Sequence, residues 1–270
     1  VCDGDMDRDF IRSLGIRFEV PMREEVYNRH VAFATADGGV WAEPVQPLNG
    51  RRILTLDGDK GWQGRQMRGE RIPAYEKFDA KNRHLLDHWA VWNGFRLSQT
   101  TADAFSIRKR THADRPWIGT FSGTRAPGYV FAGDVSGGLG VALKDFWQSY
   151  PTALQVDNAA ARNAHLTVWM WSPDAEPMDL RHYDDVAHDL EASYEDVQEG
   201  MSTPYGVART HTLTLVPSVA YGGKETVART AAMLAEDAPL LCTPEYLYAK
   251  HAFGVWSLPD QSNPKRARVE

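Results

Sequence analysis

The chain has 270 residues, 36 of them acidic and 30 basic, and its net charge of −6 argues against a nucleic-acid-binding surface, which normally shows a basic excess. With 43% hydrophobic and 24% charged residues it is an ordinary globular composition, long enough to bury a real core as one large domain or two small ones. No apolar run approaches the ~18 residues of a membrane span, no signal peptide is visible, and Cys2 and Cys242 are too few and too far apart for a metal site or a disulfide framework.

Ser13–Val20 alternates apolar and polar residues, with Leu14, Ile16, Phe18 and Val20 on one face, as in a half-buried strand that Pro21 ends. Tyr27–Ala34 and Val40–Pro44 read as two more strands, joined by the turn Asp37-Gly38-Gly39. Residues 50–81, interrupted by Gly58, Gly61, Gly64 and Gly69, read as a loop-rich excursion with short strand pieces. Its Arg65, Arg68 and Arg71 either line a groove or are simply solvated. Leu86–Val91, Phe95–Thr101 and Ala104–Thr111 read as antiparallel strands, with Asn93-Gly94 at a hairpin turn. In the last of these, Arg108 and Arg110 share one face with Ser106, and Lys109 continues the face of Phe105 and Ile107.

Trp117–Phe121, Tyr129–Ala132, Gly140–Asp145 and Ala164–Trp171 continue the strand pattern, with Phe146–Leu154 an aromatic segment broken by Pro151. Beyond Trp171 lies a segment dense in groups that donate, accept or move protons. It holds Arg181, His182, Tyr183, Asp184, Asp185, His188, Tyr194, Glu195, Asp196 and Tyr205. Val186, Leu190, Tyr194, Val197 and Met201 suit one face of a helix within it, and a long ordered loop competes with that reading. Thr210–Val216 is a strand again, followed by helices at Lys224–Glu236 and Tyr246–Phe253. Many short strands, with helices only at the end, predict a mainly β fold. It is a large antiparallel β-sandwich with long inserted loops and C-terminal helices.

Several familiar sites are absent: a phosphate-binding loop, a dinucleotide glycine fingerprint, His-Glu-x-x-His and Gly-x-Ser-x-Gly. His84 and His88 could hold a metal from one face, but a hydrogen-bonded structural pair explains the spacing as well, and neither a metal nor a cofactor is expected. The candidate catalytic set is His182, Tyr183, Arg181 and Lys109. A cation beside a uronate neutralises its charge and acidifies the α proton, which a His, Tyr or Lys then removes. Arg110, His112, Tyr194, Glu195, Asp196 and Tyr205 are candidate substrate-binding residues. Two rivals stand beside this reading. One is a glycoside hydrolase using a carboxylate pair from Asp184, Asp185, Glu195 and Asp196. The other is a carbohydrate-binding or scaffolding sandwich, in which the 29 aromatic side chains (nine Trp, ten Tyr, ten Phe) supply core or sugar-stacking rings.

The segments GDVSGGLGVALKDFWQSYPTAL (133–154), LTVWMW, MDLRHYD (178–184) and YEDVQEGMSTPYGVART (194–210) resemble the exo-rhamnogalacturonan lyase family, the YetA-like proteins among them. So do DRDFIRSLGIRFEVPMRE (7–24), WAEPVQPL (41–48) and FSIRKRT (105–111), so the likeness runs in collinear order along most of the chain. The resemblance implies a multidomain lyase with an N-terminal β domain, a central β-sandwich and a C-terminal α/α-toroid. Residues 1–220 would be the central sandwich and 221–270 the start of the toroid, consistent with ends that read as cut from a longer protein. The implied substrate is the rhamnose–galacturonate backbone of pectin, cleaved by β-elimination. The implied partners are that polysaccharide and the neighbouring domains, with no nucleic acid and no membrane, and the implied setting is extracellular.

Overall fold

A computed structural model describes residues 10–48, 62–178, 208–235, 241–255, 257–258 and 262. The chain divides into two compact units, Val1–Ala235 and Glu236–Glu270. Among its described residues the first contains eleven strands: β1 (Leu14–Pro21), β2 (Arg29–Ala34), β3 (Val40–Pro44), β4 (Gly94–Thr101), β5 (Ala104–Arg110), β6 (Ile118–Gly123), β7 (Tyr129–Asp134), β8 (Gly137–Leu143), β9 (Thr152–Asp157), β10 (Asn163–Trp171) and β11 (Leu213–Ser218). It also contains the helices α1 (Trp62–Met67), α2 (Ala80–Asp87) and α3 (Gly223–Ala235). The second unit contains α4 (Pro244–Ala249), whose first turn is capped by the Thr243 hydroxyl.

Two antiparallel sheets form a sandwich. One has six strands in the order β1-β10-β9-β4-β5-β6, and the other has five in the order β11-β8-β7-β2-β3. The alternation read in the sequence is what fills the space between them. Val20, Val31, Phe33, Phe95, Leu97, Phe105, Ile107, Val130, Val141, Leu154, Val156, Leu166 and Val168 make one buried core, every one of them at most 3% exposed. Each such side chain contributes ~1.5–3 kcal/mol by leaving water. Because the side-chain period of a strand is two, the residues between these face away from the core. On the five-stranded sheet that outer face is apolar too. Ala32, Ala34, Tyr129, Phe131 and Ala142 pack under Val227 and Ala231 of α3, where the small alanines let the helix approach. On the six-stranded sheet the outer face is polar, and it carries the site described below.

Three sequence expectations are corrected. Residues 62–87 hold helices rather than strand pieces, and Leu86 lies in α2, not in a strand. Asp79 caps α2 by accepting the amide of Asn82 at 2.7 Å, and Asn82 and Leu86, one helical turn apart, are its buried residues. Gly94 is consequently the first residue of β4, not a hairpin turn, and the β4–β5 hairpin turns at Ala102-Asp103. The excursion is tied down by buried Gln66. Its amide donates to the carbonyls of Tyr27 (2.7 Å) and Gln46 (3.0 Å), and its oxygen accepts from Leu48 N (2.9 Å). The Asp37-Gly38 turn is present, with both residues at positive φ (55° and 73°). His84 and His88 sit on α2 and its C-cap. Their rings are 4.2 Å apart, and His88 Nδ1 meets the His84 carbonyl at 2.7 Å, a structural pair.

Candidate functional site

On the outer face of the six-stranded sheet, neighbouring strands bring together residues of matching parity. Register pairs Arg96 with both Arg108 and Gln155, Gly94 with both Arg110 and Asp157, and Gln155 with Thr167. Gln155 is the hub. Its carbonyl oxygen accepts from Arg96 Nε (2.8 Å) and Trp169 Nε1 (2.9 Å), and its amide donates to Asp157. The second oxygen of Asp157 accepts from Arg110 Nη2 at 2.8 Å, while Arg110 Nη1 donates to the Ala113 carbonyl at 2.9 Å.

A second carboxylate arrives from the turn after β10. Asp174 accepts from Arg96 Nη1 at 2.7 Å through one oxygen, and from Ser98 Oγ at 2.6 Å and Arg108 Nη2 through the other. Its own amide is held by Ser172 Oγ at 3.2 Å. The indole of Trp117, just before β6, lies against two of the guanidinium groups, 4.7 Å from Arg96 and 4.2 Å from Arg110.

Three guanidinium groups against two carboxylates leave one net positive charge in this network. Arg96 is 9% exposed, and burial lowers its pKa while the Asp174 carboxylate pulls it back. It stays charged at any ordinary pH, because an arginine starts above 12. Arg108 Nε and the hydroxyl of Thr167 are buried without a hydrogen-bond partner among the described residues. Such atoms are costly to leave unpaired. The two Asp residues are locked by several donors each, so they are poor free bases. The arrangement can hold an anion or a polar ring in a fixed orientation, with Trp117 as an aromatic wall.

Of the sequence candidates, Arg110 belongs to this network. Lys109 points to the opposite face, as its parity requires, where its ammonium is held by Glu43 and lies 3.9 Å from the Trp92 ring. Its side chain is only 14% exposed, so the structure does not bring Lys109 and Arg110 together. His112 is exposed beyond β5, with Nδ1 on Asp114 Oδ1 at 2.6 Å. Arg181, His182, Tyr183, Asp184, Asp185, Tyr194, Glu195, Asp196 and Tyr205 lie outside the described residues. Sequence reasoning missed Arg96, Gln155, Trp117 and Asp174. The shared parity of Arg96 with Arg108 and Arg110 across one hairpin was a usable signal. The arrival of Asp174 at Ser98, 76 residues away in the chain, left none.

The model of the PcRGLX-like protein central beta sandwich domain matches residues 1–232. Uncharacterized protein YetA of Bacillus subtilis (strain 168) is 32% identical over 273 aligned residues, which cover 97% of this chain and 30% of that protein. The chain therefore spans about a third of the length of this curated relative. A two-sheet sandwich, an outer face bearing the arginine–tryptophan network and a match covering most of the chain lead to one conclusion: the chain belongs to the family of PcRGLX-like central beta sandwich domains.

Proposed function

We propose that the chain is the central domain of a polysaccharide lyase that cleaves rhamnogalacturonan-type pectin by β-elimination at a uronic acid. Family membership supports the substrate class. The single structural observation that carries the reading is the fixed set Arg96, Arg108 and Arg110 beside Trp117, a cationic face with an aromatic wall. In this reaction a base removes the proton α to the uronate carboxylate. The electron pair forms the double bond as the glycosidic oxygen leaves, and an acid protonates that oxygen. A guanidinium that forks onto the carboxylate lowers the charge of the carbanion-like transition state. The network binds and orients the acidic sugar, and His182 or Tyr183 moves the protons with Arg181 as the neutralising cation.

The test is turnover of rhamnogalacturonan by a polypeptide of the relative's length that includes this chain, followed by absorbance of the unsaturated uronyl product. His182→Ala and Tyr183→Phe should each lower turnover at least a hundredfold, the usual contribution of a general acid or base. Full activity in both folded variants removes that pair from the mechanism. Saturated products would point instead to a hydrolase.

The Trp117 platform also favours a second reading, an oligosaccharide-binding sandwich without turnover of its own. It predicts that the chain binds an acidic oligosaccharide and that Trp117→Ala weakens that binding, with no unsaturated product under any condition.

A further inference from the structure

At the end of the sandwich where β1 stops and β2 starts lies a second polar feature, separate from the sheet-face network. A cavity of about 530 Å³ is lined by Arg23, Glu24, Glu25, Arg29 and Arg162, with Pro21 and Met22. Arg29 is 8% exposed. Its Nε donates to the Glu24 carbonyl at 2.7 Å, and its Nη1 donates to the carbonyls of Ala159 (3.2 Å) and Ala161 (2.7 Å). These oxygens orient the guanidinium but carry no full charge, and no carboxylate pairs with Arg29 among the described residues. Nη2 has no hydrogen-bond partner among them either.

The surroundings do not cancel this charge. Arg23 and Arg162 are exposed, and their guanidinium groups have no ion pair among the described residues. Glu24 is committed to Arg71. Asp134, the other nearby carboxylate, is saturated by Ser136 Oγ and the amides of Arg23, Glu24 and Ser136. Glu25 and Asp134 together set two negative charges against the three positive charges of Arg23, Arg29 and Arg162. A buried cation is normally paired with an anion, because removing it from water costs several kcal/mol. Consistent with that cost, burial lowers the pKa of Arg29, while Asp134 and Glu25 act in the opposite direction.

We propose that this cavity is a carboxylate-binding subsite, with Arg29 as the buried anchor and Arg23 and Arg162 as exposed clamps. On the reading above, which this identification of the ligand rests on, the carboxylate is a second uronate of the same acidic polymer. The guanidinium fork matches a planar carboxylate better than an ammonium would.

The experiment is calorimetric titration of the chain with an oligosaccharide of alternating rhamnose and galacturonate that holds three uronates, its methyl ester and galacturonate monomer. The variants are Arg23→Gln/Arg162→Gln, both exposed and so neutral to folding, together with Arg29→Lys and, for the other site, Trp117→Ala. The oligosaccharide should bind and its ester should not. Arg23→Gln/Arg162→Gln should weaken binding about tenfold or more, the scale of losing charge-assisted hydrogen bonds. Unchanged affinity in that double variant overturns the subsite. If Trp117→Ala weakens binding in the same series, the functional reading stands while the subsite falls. Arginine-dependent binding of galacturonate monomer without binding of the oligosaccharide keeps the subsite and overturns the polymer as its ligand. No binding of any carboxylate overturns both.

Discussion

His30 makes the sandwich acid-labile in a defined window. Its ring is 1% exposed on the outer face of the five-stranded sheet, stacked on Tyr221 at 4.2 Å and 15°, and Nε2 has no partner among the described residues. Burial lowers its pKa from 6.5 to about 3, only partly offset by the Asp134 carboxylate. The folded state therefore binds fewer protons than the unfolded state between these values. Stability is intact above pH 6.5 and is lost as the pH falls toward 3. At ~1.4 kcal/mol for each pH unit, the loss on moving from pH 7.5 to pH 5 is about 2 kcal/mol. Urea unfolding at the two pH values reads this as a midpoint lower by about 1 M at pH 5. His30→Phe keeps the stack and removes the titrating group, so its midpoints should differ by much less. The readout is the difference between pH values, so any packing change in the variant cancels. His211, whose pKa is also lowered by burial and by Arg209, remains in both proteins and subtracts out. Equal pH dependence in the wild type and His30→Phe refutes the reasoning.

Other consequences follow from named contacts. Asp174→Ala strips the shared carboxylate from Arg96 and Arg108 and leaves buried positive charge, so chemical unfolding should show a loss of about 3 kcal/mol or more. Trp117→Ala, which removes the ring lying on Arg96 and Arg110, should weaken acidic-oligosaccharide binding several-fold with little loss of thermal stability, read by calorimetry and thermal melting. Gly69→Ala should cost more than 1 kcal/mol in urea unfolding, because φ is +76° and a Cβ would come within 2.4 Å of the Tyr221 carbonyl oxygen. Below about pH 4, Asp134 adds a separate acid-sensitive step. Burial opposes its ionisation, but the Ser136 hydroxyl and three backbone amides win and hold its pKa low. Asp134→Asn should therefore flatten the stability curve below pH 4.

The strands were legible wherever one face meets the core. In β4, β5 and β10 the apolar residues recur at every second position, and only one parity can be buried between two sheets. The same rule by itself puts Lys109 and Arg110 on opposite faces. Legibility failed in residues 62–87, where α1 and α2 are short and stop after a turn or two. There the deciding contacts are long-range: Gln66 to Tyr27 and Gln46, and Asn28 to the backbone of Ile72. The Asp79 N-cap was a local signal that the apolar run at Leu85 and Leu86 obscured.

Composition and period thus determined, without tertiary information, that the chain is a β-sandwich closed by helices. Hydrophobic burial depends on the alternation of residue types, and that alternation is written locally. Pairing order decided the rest. The order β1-β10-β9-β4-β5-β6 sets Gln155 between Trp169 and Arg96, and the turn after β10 carries Asp174 over to Ser98. Hydrogen bonds and ion pairs act over a few ångströms between residues far apart in the chain. Which polar groups meet is therefore settled by the register of the sheets and by no local pattern. The same holds for Arg29, which met its carbonyls 130 and 132 residues onward.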